Sequence, residues 1–465
     1  MDEVDVEDSA ETAGTRREKE ERNSTNISGM SNTTARKEDT YQGTQFLMEE
    51  VLEQGNILIA MKRVVGNKGA PGVDKMTTEQ LEPYVAKHWP LIEAELLEGR
   101  YQPKPVRGVE ITKPDGIGVR KLGIPTVVDR LIQQAVHQVL SPIFEHDFSE
   151  HSFGFRPGRN THQAILKAQE YIAGGKHWVV DTDLEKFFDR VNHDILMARI
   201  ARKIKDKRIL LLIRRFLQAG LMIGGLESIR TEGTPQGGPL SPLLSNIMLD
   251  DLDKELEKRG HSFCRYADDC NIYVNSQKAG ERVMQSIKEF LGKKLKLKIN
   301  EGKSAVAQVW ERKFLGYTVT KEERPRLKIA EVPLKRFKDK LREKFRKGKG
   351  QDIKHFVKEL KPILMGWANY FYRTEIPHQL SSVDSWVRHK IRDIIWRQLK
   401  RPATRIRAMV RQGVRIEKAR DLAWCNKGPW RCSMCQTMHI AYPNKYLDKI
   451  GLTSLLQRRE YLKAL

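Results

Sequence analysis

Ser262-Phe263-Cys264-Arg265-Tyr266-Ala267-Asp268-Asp269-Cys270-Asn271-Ile272-Tyr273-Val274 sets two β-prone runs on either side of two adjacent acids. Such runs joined by a tight turn predict a hairpin, with the paired carboxylates at its tip and open to solvent on one side. Neighbouring carboxylates repel, so a pair held in this way calls for a cation. An isolated Asp-Asp pair is most often an ordinary turn, and it gains meaning only from a partner elsewhere in the chain. The partner is Trp178-Val179-Val180-Asp181-Thr182-Asp183-Leu184-Glu185-Lys186-Phe187-Phe188-Asp189, where an apolar run leads into a carboxylate cluster and then a helix. An acid that ends one strand can meet the hairpin tip on the neighbouring strand. Such a convergence suits two divalent ions about 3.5–4 Å apart, one activating a hydroxyl and the other holding a triphosphate. Magnesium prefers hard carboxylate oxygens and keeps waters and substrate oxygens in its shell, so two or three protein acids suffice.

Working outward, residues 105–320 alternate short β-rich runs with amphipathic helices. Val283, Ile287, Leu291 and Leu295 share one helical face ahead of the strand-like Leu297–Ile299. The expected class is α+β with a central sheet. Leu244, Met248, Leu252 and Leu256 form one stripe of a helix that should stop at Gly260 with a left-handed cap. Residues 44–104 read as helices around the exposed turn Gly66-Asn67-Lys68-Gly69-Ala70-Pro71-Gly72-Val73-Asp74. From Pro333 to Arg420 the pattern is helical throughout, with Leu334, Phe337, Leu341 and Phe345, then Phe356, Leu360, Ile363, Trp367 and Tyr370, on apolar faces. Residues 331–420 are therefore read as a separate helical domain, and 421–465 as a short C-terminal segment. Residues 1–43 are polar and acidic and cannot bury enough surface to offset ordering entropy, so a disordered tail is expected there.

The 465 residues carry 83 Lys+Arg against 60 Asp+Glu, a net charge of +23, and the default partner is a polyanion. The excess is concentrated. Residues 331–420 hold 25 basic and 9 acidic residues on a helical scaffold, more than solubility requires. Arg336, Lys340, Lys344 and Lys347 lie at near-helical spacing, as do Arg388, Arg392 and Lys400 around Trp386 and Trp396. Cations interleaved with aromatics suit a nucleic-acid backbone with stacked bases, although the tryptophans can equally be core. No run of about 18 apolar residues could span a bilayer, and the polar start does not read as a secretion signal. A cytoplasmic protein with no membrane partner is expected, its five cysteines reduced. Cys425, Cys432, Cys435 and His439 are zinc-binding types, but they crowd together where a closed site usually draws on two separated knuckles.

Asp183-Leu184-Glu185-Lys186-Phe187-Phe188-Asp189, Gly233-Thr234-Pro235-Gln236-Gly237-Gly238-Pro239-Leu240-Ser241-Pro242 and Tyr266-Ala267-Asp268-Asp269 resemble, in order and spacing, successive blocks of group II intron-encoded reverse transcriptases. The likeness extends through Arg120-Lys121-Leu122-Gly123-Ile124-Pro125, Ser152-Phe153-Gly154-Phe155-Arg156-Pro157-Gly158, Asn300-Glu301-Gly302-Lys303-Ser304, Phe314-Leu315-Gly316-Tyr317 and Gly366-Trp367-Ala368-Asn369-Tyr370-Phe371. It covers nearly everything after residue 45. The resemblance implies a right-hand polymerase fold with fingers and palm, an antiparallel sheet plus helices, followed by an all-helical thumb or maturase domain.

It further implies a catalytic, metal-binding triad of Asp183, Asp268 and Asp269, with Asp181 and Asp189 in support. The cofactor would be two magnesium ions, with manganese able to substitute. Lys113 and Arg120 flank a fingertip hairpin that would bear on the incoming triphosphate, and charge neutralisation is their physical role. Phe187, four residues after Asp183, would close against the sugar and leave no room for a 2′-hydroxyl; the competing reading makes Phe187 and Phe188 core. Gln236 would contact the nucleotide and template. The implied function is RNA-directed DNA synthesis for a group II intron, with intron RNA bound to assist splicing and mobility by target-primed reverse transcription. The partners would be intron RNA, an RNA template, a DNA primer or target and deoxynucleoside triphosphates; whether the chain pairs with itself stays open. The chain ends before the endonuclease domain of many relatives, so a mobile form should use a nicked or single-stranded target, as expected of the compact group IIC type. Two rivals stand beside this reading: a splicing maturase with little polymerase activity, and a related transcriptase recruited to defence or repair.

Overall fold

A computed structural model describes residues 43–112, 119–223, 226–228, 232–234 and 237–465. The expected N-terminal tail, Lys113 with the rest of the fingertip turn, and Gln236 lie outside the described residues. The fold is mixed helix and sheet, with a helical C-terminal region.

Strand β1 (Val106–Thr112) pairs antiparallel with β2 (Val119–Ile124), from Arg107 opposite Ile124 to Thr112 opposite Val119. A second sheet contains β3 (Trp178–Thr182), while β4 (Leu221–Ile223) runs parallel to β1 and antiparallel to β5 (Leu226–Ser228). The first sheet therefore has the order β2-β1-β4-β5. The second joins β6 (Ser262–Tyr266), β7 (Asp269–Val274), β3 and β8 (Ala305–Gln308) in the order β6-β7-β3-β8. In β7 every residue after Asp269 is buried, a continuous run instead of an alternation, which marks a strand covered on both faces.

Contacts divide the chain into two units. The first takes the described residues up to Asn160, Val180–Ile272 and Glu281–Ala305. Its longest buried element is the helix Val127–Glu145, where Leu131, Ile132, Ala135, Val136 and Leu140 are inaccessible. The helix Ser241–Lys258 buries Leu244, Met248, Leu252 and Leu256, the stripe expected from spacing. It ends as expected at Gly260, where φ is +69° and the amides of Gly260 and His261 reach back to the carbonyls of Glu257 and Leu256 at 2.9 and 3.0 Å. One expectation fails in this unit. Leu297–Ile299 is no strand: Gln277–Phe290 continues into a π turn over Leu291–Leu295, and Lys296 then turns the chain with φ +55°. Ile299 makes only an isolated bridge to Leu184, and the regular strand is β8.

The second unit takes Thr161–Val179, Tyr273–Gly280 and Val306–Leu465. A small hairpin of β9 (Tyr317–Val319) and β10 (Leu327–Ile329) precedes the helices Glu331–Lys347, Ile353–Phe371 and Pro377–Gln398. Phe337, Leu341, Phe345, Phe356 and Leu360 are buried, matching the apolar faces read from the sequence. Two of the quoted motifs meet here. The Tyr317 hydroxyl donates to the Tyr370 carbonyl at 2.7 Å, and the Tyr370 hydroxyl donates to the Leu315 carbonyl at 2.9 Å.

Candidate active site

The last residue of β3, Thr182, donates its buried hydroxyl to the Cys270 carbonyl of β7 at 2.7 Å. Asp183 follows Thr182 and Asp269 precedes Cys270, so each acid lies one Cα step of about 3.8 Å from this crossing point. Asp268 occupies the hairpin loop with Ala267, whose φ of +57° makes the tight turn between β6 and β7. Asp183 and the adjacent pair Asp268 and Asp269, far apart in sequence, thus leave neighbouring strands at one place. Asp181 lies on β3 itself, two residues before Asp183. Asp189 is exposed at the end of the short helix Phe187–Arg190.

The segment Asn300–Ser304 fixes the backbone of Asp183. The Asp183 amide donates to Ser304 Oγ at 2.9 Å, and its carbonyl accepts from the Asn300 amide at 2.8 Å. Its carboxylate, 38% exposed, faces Lys303 Nζ at 3.5 Å. Among the described residues no three His, Cys, Asp or Glu side chains close around a common point. The acids therefore offer hard oxygen donors without a finished cage, which is the donor set magnesium takes when substrate and water complete its shell.

Beneath the hairpin turn lies a network that the sequence reading did not identify. Arg265 on β6 is fully buried and donates to the Ala267 carbonyl at 2.9 Å, to Asn246 Oδ1 at 3.0 Å and through Nε to Asp253 Oδ1 at 2.7 Å. Asp253 is equally inaccessible; burial pushes its carboxyl up, opposed by the Arg265 guanidinium. Asn246 also donates to the Gly154 carbonyl at 2.8 Å. Gly154 packs so closely on the turn that a Cβ there would collide with the Ala267 amide nitrogen. The signal was present: Arg265 interrupts an apolar strand, and Asn246 and Asp253 lie seven residues apart among the leucines of a buried helix face. Each is a buried polar group that needs a partner.

The remaining candidates divide. Phe187 is only 2% exposed and meets the half-buried Phe188 edge-on at 5.2 Å between ring centroids. Of this pair, Phe188 presents the more accessible ring. Arg120 lies on β2. In the helical unit Arg336, Lys340, Lys344 and Lys347 are exposed along the helix Glu331–Lys347, as is Lys400, while Arg388 is half-buried. Arg392 corrects the sequence reading. It is 2% exposed, with Nε donating to the Tyr442 carbonyl at 2.8 Å and Nη2 to Asn444 Oδ1 at 2.9 Å, so its charge is spent inside the unit. Trp396 is core, with Arg405 stacked over it at 4.2 Å. Cys432 Sγ contacts the Cys425 carbonyl at 3.8 Å, and burial pushes the Cys432 thiol up to about 11.

Two stretches of the chain match known families. Residues 111–319 match the family described as reverse transcriptase (RNA-dependent DNA polymerase), and residues 334–413 match the group II intron, maturase-specific domain. Protein YkfC of Escherichia coli (strain K12) is 36% identical over 290 residues, covering 54% of this chain and 76% of that protein. The group II intron-encoded protein LtrA of Lactococcus lactis subsp. cremoris is 40% identical over 196 residues, 42% of this chain; the match spans 32% of LtrA's own length. A solved structure, the partial Cas6-RT-Cas1--Cas2 complex, aligns at 27% identity over 54% of this chain and 43% of its own, with a TM-score of 0.36. No helix among the described residues is long and apolar enough to cross a membrane. With both domains matched and a relative covered over most of its length, the chain belongs to the reverse transcriptase family and carries a group II intron maturase-specific domain.

Proposed function

We propose that this chain synthesises DNA on an RNA template for a group II intron, extending a DNA primer or target end with deoxynucleoside triphosphates, and binds intron RNA as a maturase. The observation that carries the reading is the Thr182–Cys270 hydrogen bond, because it sets Asp183 beside Asp269 and the hairpin tip. Asp183, Asp268 and Asp269 would hold the metal. Two magnesium ions bound there would supply primer-hydroxyl activation and charge neutralisation on the triphosphate.

The chain's own residues do the rest. The Arg265 network holds the hairpin turn at fixed height, so the acids need not reorganise when substrate arrives. Lys303 neutralises Asp183 across a solvent-accessible gap, and a long exposed lysine exchanges such a partner at little cost. Lys113 and Arg120 bear on the triphosphate, Gln236 on nucleotide and template, and Phe187 on the sugar, with the accessible ring of Phe188 as the competing wall. Residues 44–104 serve as the N-terminal extension and part of the fingers, 105–320 as fingers and palm, 331–420 as the thumb that grips the template–primer duplex, and 421–465 as the DNA-binding segment. Arg336, Lys340, Lys344, Lys347, Arg388 and Lys400 would follow the nucleic-acid backbone.

The test is primer extension on poly(rA) primed with oligo(dT), with magnesium and dTTP. Incorporation that needs the metal is expected. Tight RNA binding without incorporation would move the assignment to the splicing maturase. A gene lying within a folded intron with its domain V hairpin would favour intron service over defence or repair.

A further inference from the structure

Phe155 is a large aromatic in a conformation that large side chains avoid. Its φ is +57°, in the left-handed region, yet the residue is 49% exposed, so burial offsets only part of that cost. The residues around it are anchored. Before it, the Phe153 amide donates to the Arg265 carbonyl at 2.9 Å, and the Gly154 carbonyl accepts from Asn246 at 2.8 Å. After it, the Arg156 side chain, 3% exposed, pairs with Glu145 at 2.8 Å and donates to the Ser152 carbonyl at 2.8 Å and to the Ser149 carbonyl. A strained residue held by neighbours bonded on both sides, beside a reactive site, is stored for use.

The placement says for what. Ser152 bridges Arg265, so this loop runs along the β6 edge of the hairpin, and the Phe155 ring lies 6.1 Å from that of Tyr266. In the order β6-β7-β3, the Asp183–Phe188 stretch that would face the incoming nucleotide follows β3, across the hairpin from Phe155. A primer end brought to the acids from the β6 side would pass the Phe155 and Tyr266 rings. The geometry points to Phe155, with Tyr266 beside it, as an aromatic platform that packs on the base pair at the primer terminus and positions the primer end over the acids. It is a positioning residue, and its role rests on the polymerase reading above.

Glycine suits the observed φ better than phenylalanine, so Phe155→Gly separates platform from scaffold. With the full chain, thermal melting, the equilibrium Kd for a fluorescent RNA–DNA primer–template without nucleotide, and KM for dTTP are measured for the parent, Phe155→Gly and Phe155→Trp. The glycine variant should melt no lower than the parent, bind primer–template about tenfold more weakly, as loss of one stacked base contact implies, and show a KM for dTTP within about twofold of the parent. Tryptophan should restore affinity to within about twofold. The salt slope of Kd should not change, because no counterion contact is removed. Parent-like affinity in Phe155→Gly would overturn the platform, and so would a loss that tryptophan leaves in place and a lowered melting temperature accompanies. Binding is read without nucleotide, so a parent that binds primer–template but adds no nucleotide would fail the polymerase reading and leave the platform measurable.

Discussion

The hairpin that carries Asp268 and Asp269 and the helix Glu331–Lys347 both depend on charged residues, and they use charge in opposite ways. Under the hairpin, Arg265 and Asp253 are shut away from water and every bond is directed, so one geometry survives. Along the helix, Arg336, Lys340, Lys344 and Lys347 stand in solvent, and Lys347 pairs with the exposed Glu343 one turn back at 2.8 Å. Metal-dependent chemistry needs atoms fixed to fractions of an ångström. Grip on a polyanion needs only positive potential that can follow many sequences. The same residue types therefore build a rigid support in one region and a compliant surface in the other.

The comparison breaks most visibly if the rigid region carries no chemistry. Asp268→Ala or Asp269→Ala should lower primer extension by roughly a thousandfold or more while leaving RNA affinity within about twofold, because only the charge-stabilising groups are removed. Undiminished synthesis by either variant would place the chemistry elsewhere. Arg265→Met should destabilise the first unit by about 3–5 kcal/mol in denaturant titration, since it strands Asp253 as a buried charge. A cost below about 1 kcal/mol would mean the turn does not depend on this pair.

A buried acid in the first unit adds a pH test. Burial pushes Asp129 up to about 6, against hydrogen bonds from Thr126 and Tyr101. A carboxyl whose folded value is raised is easier to protonate in the fold, so stability falls as pH rises from about 4 to about 6 and stays lower above that window. Asp129→Asn should therefore flatten melting curves over this range and gain on the parent by up to about 3 kcal/mol at pH 8, two pKa steps' worth. The compliant region is tested by salt. Replacing Arg336, Lys340, Lys344 and Lys347 with alanine should flatten the log–log salt dependence of RNA affinity by roughly three units, whereas Arg392→Ala should leave that slope alone and lower stability. An unchanged slope in the fourfold variant would remove the helix from the contact surface. The smallest effect is expected at the aromatic pair: Phe187→Ala should raise ribonucleotide use relative to deoxynucleotide use by a few-fold to about a hundredfold. If Phe188→Ala does so instead, the accessible ring is the gate.

Much of the hairpin was legible because its signal is local. Two β-prone runs, a turn and two acids occupy thirteen consecutive residues, and the strand that brings Asp183 announces itself by a similar apolar run. The helix stripe ending at Gly260 was equally readable, since 3.6-residue periodicity and a left-handed cap need no distant partner. Arg392 was misread for the opposite reason. Its spacing on the helix is that of a surface cation, and the carbonyl and amide that absorb it come from Tyr442 and Asn444, about fifty residues later. Leu297–Ile299 reads as a strand by composition, but the π turn and Lys296 ahead of it redirect the chain before a ladder can form.

From residue order alone come the polyanion partner, the mixed α/β region followed by helices, and the acids worth testing, because composition, periodicity and short motifs act over a few residues at a time. Only the folded chain decides that Thr182 lies on Cys270, that Arg265 is spent on Asp253 under the turn, and that Phe155 is held strained beside Tyr266. These are pairings across long loops, and whether a charge is exposed or buried depends on which distant group meets it, something no local spacing encodes.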